Sequence, residues 1–144
     1  MVRRLTQNTK VAALGRAPLF EGLSKKELVE IARVTEDLQV PAGTLLCKED
    51  TLGREFFVLV EGEVEVTRGG KPIATRQAGD FVGEIALLTS ARRTATVRAA
   101  TPLRCLILMR GDFRRVLDEN RSIERKVMDA LAERLAEYAA DSAF

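Results

Sequence analysis

The 144-residue sequence contains no histidine. That removes most zinc, copper and non-haem iron sites, and with them the usual Ser-His and Cys-His nucleophile pairs. It contains only two cysteines, Cys47 and Cys105. Two cannot build a disulfide framework or a four-thiolate cluster within one chain. Each falls in a predicted strand, and buried free thiols of a reducing cytoplasm are the expectation. No run of ~18 apolar residues occurs, so no membrane span is expected. MVRRLTQNTK carries charge without the apolar segment of a signal peptide. Neither sign of charge dominates: 23 basic residues face 21 acidic ones, a net of +2. A strongly basic nucleic-acid binder is not expected, although a local basic patch stays open.

What is present is an ordinary globular composition, 46% apolar. The length fits one domain, residues 1–144, with enough chain for a real core. Residues 6–34 read as helical. Ala17-Pro18-Leu19-Phe20 looks like a break, with a first short helix ending near Gly15. Ser24-Lys25-Lys26-Glu27 is a capping box, followed by Leu28, Ile31 and Val34 at helical spacing.

From Glu36 the period changes to that of strands. Leu38 and Val40 alternate with polar neighbours, residues 44–47 follow Gly43, and residues 56–60 form an apolar run. Residues 64–67 alternate, Gly69-Gly70 signals a hairpin into residues 73–75, and residues 95–99 and 103–108 complete the series. About eight short strands with glycine turns, over residues 36–110, imply a β-sandwich or small barrel. A helical stripe then returns at Phe113, Val116 and Leu117, and again from Ile123 to Tyr138.

The stretch GEIALLTSARRTATV, residues 83–97, concentrates the chemistry. Gly83 permits a close backbone approach or an unusual φ. Residues 84–88 can form one helical turn, whose opening amides favour an anion. Arg92 or Arg93 supplies a planar fork of donors for two phosphate oxygens. Glu84, an acceptor when ionised, suits the hydroxyls of a sugar. Thr94 adds a hydroxyl and Ala95 an amide. Ala86, Ala91 and Ala95 are small enough to leave room for a ligand. The chemistry fits one anion and one sugar hydroxyl on the same molecule. It also fits a surface loop whose glutamate and arginine pair with each other or with water.

GEIALLTSARRTATVRA resembles the phosphate-binding cassette of the cyclic nucleotide-binding domain family. APLFEGLSKKELVEIA, EFFVLVEGEVEV and MRGDFRRVLDEN resemble the same family's opening helices, central strand-turn-strand and first helix after the barrel. The resemblance implies an eight-stranded jelly-roll barrel with helices at both ends, and a cassette over residues 83–95. It also implies hinge and lid helices over residues 111–140. Carried over by position, Glu84 would hold the ribose 2′-hydroxyl and Arg93 the cyclic phosphate. Arg92 would be solvated. The amides of Gly83, Ile85 and Ala95 would be further contacts, with Ala86 beside them and Thr94 facing phosphate or base. Leu87, Leu88 and Phe113 would form the hinge. Leu131, Arg134 and Leu135 would cover the base.

The implied ligand is cyclic AMP, with cyclic GMP also bound, and no cofactor. No catalytic residue is expected. Metal-dependent cupins share this kind of barrel but need several histidines. The chain stops at Phe144. Neither the helix-turn-helix of the DNA-binding relatives nor direct DNA binding is therefore expected. A sensor acting on an effector in trans, or a piece of a larger protein, is expected. The oligomeric state stays open. The alternative is a degenerate member that keeps the fold and serves as a protein-interaction module without nucleotide.

Overall fold

The computed structural model describes residues 5–141, without the side chains of Ile85, Arg134, Leu135 and residues 137–141. Two short helices open it, α1 (Gln7–Leu14) and α2 (Lys25–Ala32), separated by a 3₁₀ turn at Pro18–Phe20. Gly15 caps α1, and the predicted capping box is present: Ser24 accepts from the Glu27 amide while Glu27 accepts from the Ser24 amide.

Eight strands follow. They are β1 (Glu36–Val40), β2 (Leu45–Cys47), β3 (Glu55–Glu61), β4 (Glu63–Arg68), β5 (Lys71–Gln77), β6 (Phe81–Val82), β7 (Thr96–Ala99) and β8 (Leu103–Met109). They form two four-stranded antiparallel sheets, ordered β1-β8-β3-β6 and β2-β7-β4-β5. This is the jelly-roll order expected from the resemblance. Helices α3 (Arg110–Glu119) and α4 (Arg121–Asp141) close the described chain.

The sequence pattern explains which sheet is covered on both faces. In β3, Phe56 and Val58 join a cluster with the helices, while Phe57 and Leu59 join a second cluster between the sheets. In β8, Leu106 and Leu108 face the helices, while Leu103 and Cys105 face the opposite sheet. Residues 56–60 of β3 and 105–109 of β8 therefore read as apolar runs. The other sheet has one wet face, so β4 alternates: Val64 and Val66 are buried, Glu63 and Glu65 exposed.

The helical layer packs around phenylalanines. The Phe20 ring meets Phe56 edge-on at 5.9 Å and Phe113 at 5.7 Å. All three are fully buried, and burial of such a side chain contributes about 1.5–3 kcal/mol. Ile123 and Val127 of α4 join the same cluster. The Glu27 carboxylate ties α4 to α2, accepting from Ser122 Oγ and Lys126 Nζ, both at 2.7 Å. Those donors and the Ser24 amide hold its pKa down at about 2. A second anchor pins β8 to β1. Arg104 donates Nε to Asp37 Oδ1 at 3.0 Å and NH2 to Asp37 Oδ2 at 2.6 Å, and this pairing holds the Asp37 carboxyl below its ordinary range.

Both cysteines are buried free thiols, as expected. Burial pushes Cys47 up to about 11 and Cys105 up to about 12. Among the described residues no helix is long and apolar enough to cross a membrane.

Candidate functional site

The segment from Gly83 to Ala95 links the two clusters. Strand β6 delivers it: Phe81 packs toward the helices and Val82 toward the inter-sheet core. Gly83 then turns the chain with φ +81, a left-handed value that disfavours other residues. The predicted turn forms as a 3₁₀ helix over Glu84–Leu87, closed by the Ala86 amide on the Gly83 carbonyl at 3.0 Å. Leu87 is buried in the helical cluster with Leu88 against it, while Ala95 enters the inter-sheet cluster.

Backbone pairing decides between the two arginines. The Arg93 amide donates to the Thr51 carbonyl at 2.8 Å, and the Asp50 amide donates to the Arg93 carbonyl at 2.9 Å. Leu52 bridges Arg92 antiparallel. In extended chain successive side chains point to opposite sides, so only one of the pair can face inward. It is Arg93, 9% exposed. Arg92 is exposed, as expected, although its NH1 also donates to the Asp50 carbonyl at 2.7 Å.

Glu84 is 3% exposed. Its Oε2 is enclosed, with no hydrogen-bond donor on it among the described residues. The Glu84 and Arg93 side chains are both buried rather than solvated. Arg93 is held from β3: NH2 donates to the Glu55 carbonyl at 2.8 Å and to Glu55 Oε2 at 3.0 Å. Two glycines wall the slot around it. A Cβ at Gly53 would overlap Arg93 Nε, Cζ and Cδ, and one at Gly83 would overlap NH1 while lying 2.9 Å from the Glu55 carbonyl. Cys47 lies in the field of Arg93 and Glu55, but burial dominates and keeps it a thiol.

The sequence reading missed Glu55 and Gly53. Glu55 opens an apolar strand, and nothing local links it to a residue 38 positions away. Gly53 carries only the generic signal of a loop glycine.

The remaining expected residues fall as follows. Thr94 is exposed, and its carbonyl accepts from Arg68 Nε at 2.9 Å. The side chain of Ile85 lies outside the described residues. Phe113 shares its cluster with Leu87, and α3 packs on the 3₁₀ turn. A second link was not anticipated: Arg110, at the start of α3, donates NH1 to the Thr89 carbonyl at 2.7 Å. Leu131 packs against the helical cluster. The side chains of Arg134 and Leu135 lie outside the described residues.

Three buried charged side chains occur among the described residues: Glu84, Arg93 and Arg104. Arg104 is taken by Asp37. The other two flank one turn, in a sequence whose family model, "Cyclic nucleotide-binding domain", matches residues 37–120. The chain belongs to the cyclic nucleotide-binding domain family.

Relatives agree. A cyclic nucleotide-gated potassium channel of Rhizobium etli is 36% identical over 117 residues, 81% of this chain and 33% of the channel. A cAMP-dependent protein kinase regulatory subunit of Emericella nidulans is 35% identical over 117 residues, 80% of this chain and 28% of the subunit. The N-terminal domain of a transcriptional regulator from Streptomyces coelicolor A3(2) superposes with a TM-score of 0.81 at 25% identity, over 92% of this chain and 96% of that one. The match thus spans about a third or less of the curated relatives' length. The family is a binding family, not a catalytic one, in line with the expectation that this chain is no enzyme. Among the described residues no cluster of potential metal ligands occurs.

Proposed function

We propose that this chain is a sensor that binds a 3′,5′-cyclic nucleotide, cyclic AMP foremost and cyclic GMP also, and signals to an effector by moving its C-terminal helices. The observation that carries the reading is the burial of Glu84 and Arg93 at the two ends of one cassette, in a chain of this family. Burial keeps both side chains out of bulk water, which strengthens a polar contact with a ligand, and Arg93 already carries Glu55 on NH2 alone. A cyclic nucleotide offers each a contact: one negative phosphate for Arg93 and one free ribose hydroxyl for Glu84. The amides of Gly83, Ile85 and Ala95 complete the cradle, and Ala86 and Ala95 leave room beside it. Thr94, exposed at the rim, is free to face phosphate or base.

The coupling follows from the packing. Leu87 and Phe113 share one cluster, and Arg110 holds the Thr89 carbonyl. A cassette that tightens on an anion therefore pulls on α3, and α3 on α4. Leu131, Arg134 and Leu135 are the residues of α4 assigned to close over the base. In the state described, α4 is instead held back on α2 through Glu27, with Leu131 against the helical cluster. Ligand shifts that balance only by its preference for the closed state.

Calorimetric titration with cyclic AMP and cyclic GMP tests the reading. Binding of either is expected, and a folded protein that binds neither is a protein-interaction module on the same fold. Arg93→Ala is expected to weaken binding far more than Arg92→Ala, because only Arg93 points inward. Greater damage from Arg92→Ala overturns the assignment.

A further inference from the structure

Glu55 reaches the site from outside the cassette. It is the first residue of β3, and its carboxylate and its carbonyl both sit on Arg93 NH2, at 3.0 and 2.8 Å. Its side chain is 37% exposed where that of Arg93 is 8% exposed. The carboxylate is therefore the more accessible of the two groups. Guanidinium and carboxylate sum to no net charge. The second carboxylate of the site, Glu84, is buried, and Arg92 is turned out to the Asp50 carbonyl. Cys47 stays neutral, its thiol pushed up to about 11 by burial. Arg68 reaches the cassette at the Thr94 carbonyl but is exposed, so the buried positive charge is nearly spent before any ligand arrives.

We infer that Glu55 is a specificity-determining residue, a counter-charge that admits monoanionic phosphodiesters and rejects dianionic phosphomonoesters at Arg93. The inference rests on the cyclic nucleotide reading above. A 3′,5′-cyclic phosphate carries one negative charge. A linear 5′-monophosphate carries nearly two at neutral pH, since its second proton leaves near pH ~6. The first charge is met by Arg93 and the cassette amides. The second faces Glu55 across one guanidinium, and the neighbouring Arg68, on the Thr94 carbonyl, is exposed and screened by solvent. Glu55 also restrains the guanidinium at NH2, so the same contact positions Arg93.

The test compares three ligands on the parent protein and on Glu55→Gln, which keeps an acceptor oxygen for Arg93 but no charge. The ligands are cyclic AMP, 5′-AMP and the methyl ester of 5′-AMP. The ester is as linear as AMP but carries a single charge, so it separates charge from shape. Affinities are read by displacement of a fluorescent cyclic AMP analogue, which keeps weak binding measurable. The parent protein is expected to prefer the methyl ester over AMP by about tenfold at low salt. In Glu55→Gln that preference is expected to collapse to about twofold or less, mainly through tighter AMP binding. Equal binding of AMP and its ester by the parent protein overturns the inference, as does an unchanged preference in the variant. No displacement by either linear ligand at any concentration also overturns it, because shape alone then discriminates. The two parent-protein arms need no substitution, so they can overturn the inference even if the variant does not fold, and Glu55→Ser is the second variant that attributes the preference. Failure of the folded parent protein to bind cyclic AMP at all is a different result, which sinks the cyclic nucleotide reading itself.

Discussion

Gly53→Ala isolates the slot that holds Arg93. Gly53 is buried, and an added Cβ would overlap Arg93 Nε and Cζ and stand 2.6 Å from Cδ. The backbone beside it is pinned by the Thr51 and Asp50 bonds to Arg93, so the side chain must give way. The guanidinium would leave its slot and forfeit both contacts with Glu55. Overpacking of this kind costs about 1–3 kcal/mol. For a chain of this size that is a fall in Tm of roughly 3–10 °C. The effect on ligand is larger in proportion. A charge-assisted contact is worth about 1.5–3 kcal/mol, so binding should weaken roughly 10- to 150-fold. Gly22→Ala is the control, because nothing lies within 4 Å of a Cβ there. Thermal unfolding and calorimetric titration with cyclic AMP read the two effects. Parent-like affinity in Gly53→Ala, with a Tm matching that of Gly22→Ala, would refute the account of the slot.

The clasp on Glu27 predicts an acid-dependent loss of stability. Its pKa is depressed from 4.5 to about 2, so its contribution is present above ~4.5 and is lost as the pH falls from there toward 2. Lys126→Ala should cost about 1–2 kcal/mol near neutrality, a discounted figure because Lys126 is 42% exposed. Urea denaturation should show the gap between parent and variant narrowing from about pH 6 to about pH 3, and a constant gap would sink the assignment. Thr94→Ala should alter the ratio of cyclic AMP to cyclic GMP affinities if the hydroxyl reads the base, and an unchanged ratio removes it from that role. Hydrogen exchange with saturating cyclic AMP should change protection both in the cassette and between residues 111 and 140. A cassette that gains protection while residues 111–140 do not change leaves no moving helix.

Much of the architecture is written locally. Apolar residues at helical spacing behind Ser24 and Glu27 declared α2, and the alternation in β4 declared a strand with one wet face. The apolar run at residues 56–60 of β3 implied a buried strand without saying what covered each face. Strand β6 carried no signal, because two residues cannot display a period. The cassette was legible because Glu84, the turn and Arg93 lie within one short segment, where spacing alone sets their relation.

Tertiary structure decided what distant residues do. Which arginine turns inward follows from the pairing of residues 50–52 with 92–93, a contact that closes a loop of some forty residues and leaves no local pattern. The partner of Arg93 comes from β3, 38 positions away. The capping glutamate of α2 also holds α4, because the fold lays Ser122 and Lys126 beside it from 95 and 99 positions away. Local periodicity reports which face of an element is buried. It holds no record of which charged side chain will meet another, since that depends on the register and packing of elements the sequence keeps far apart.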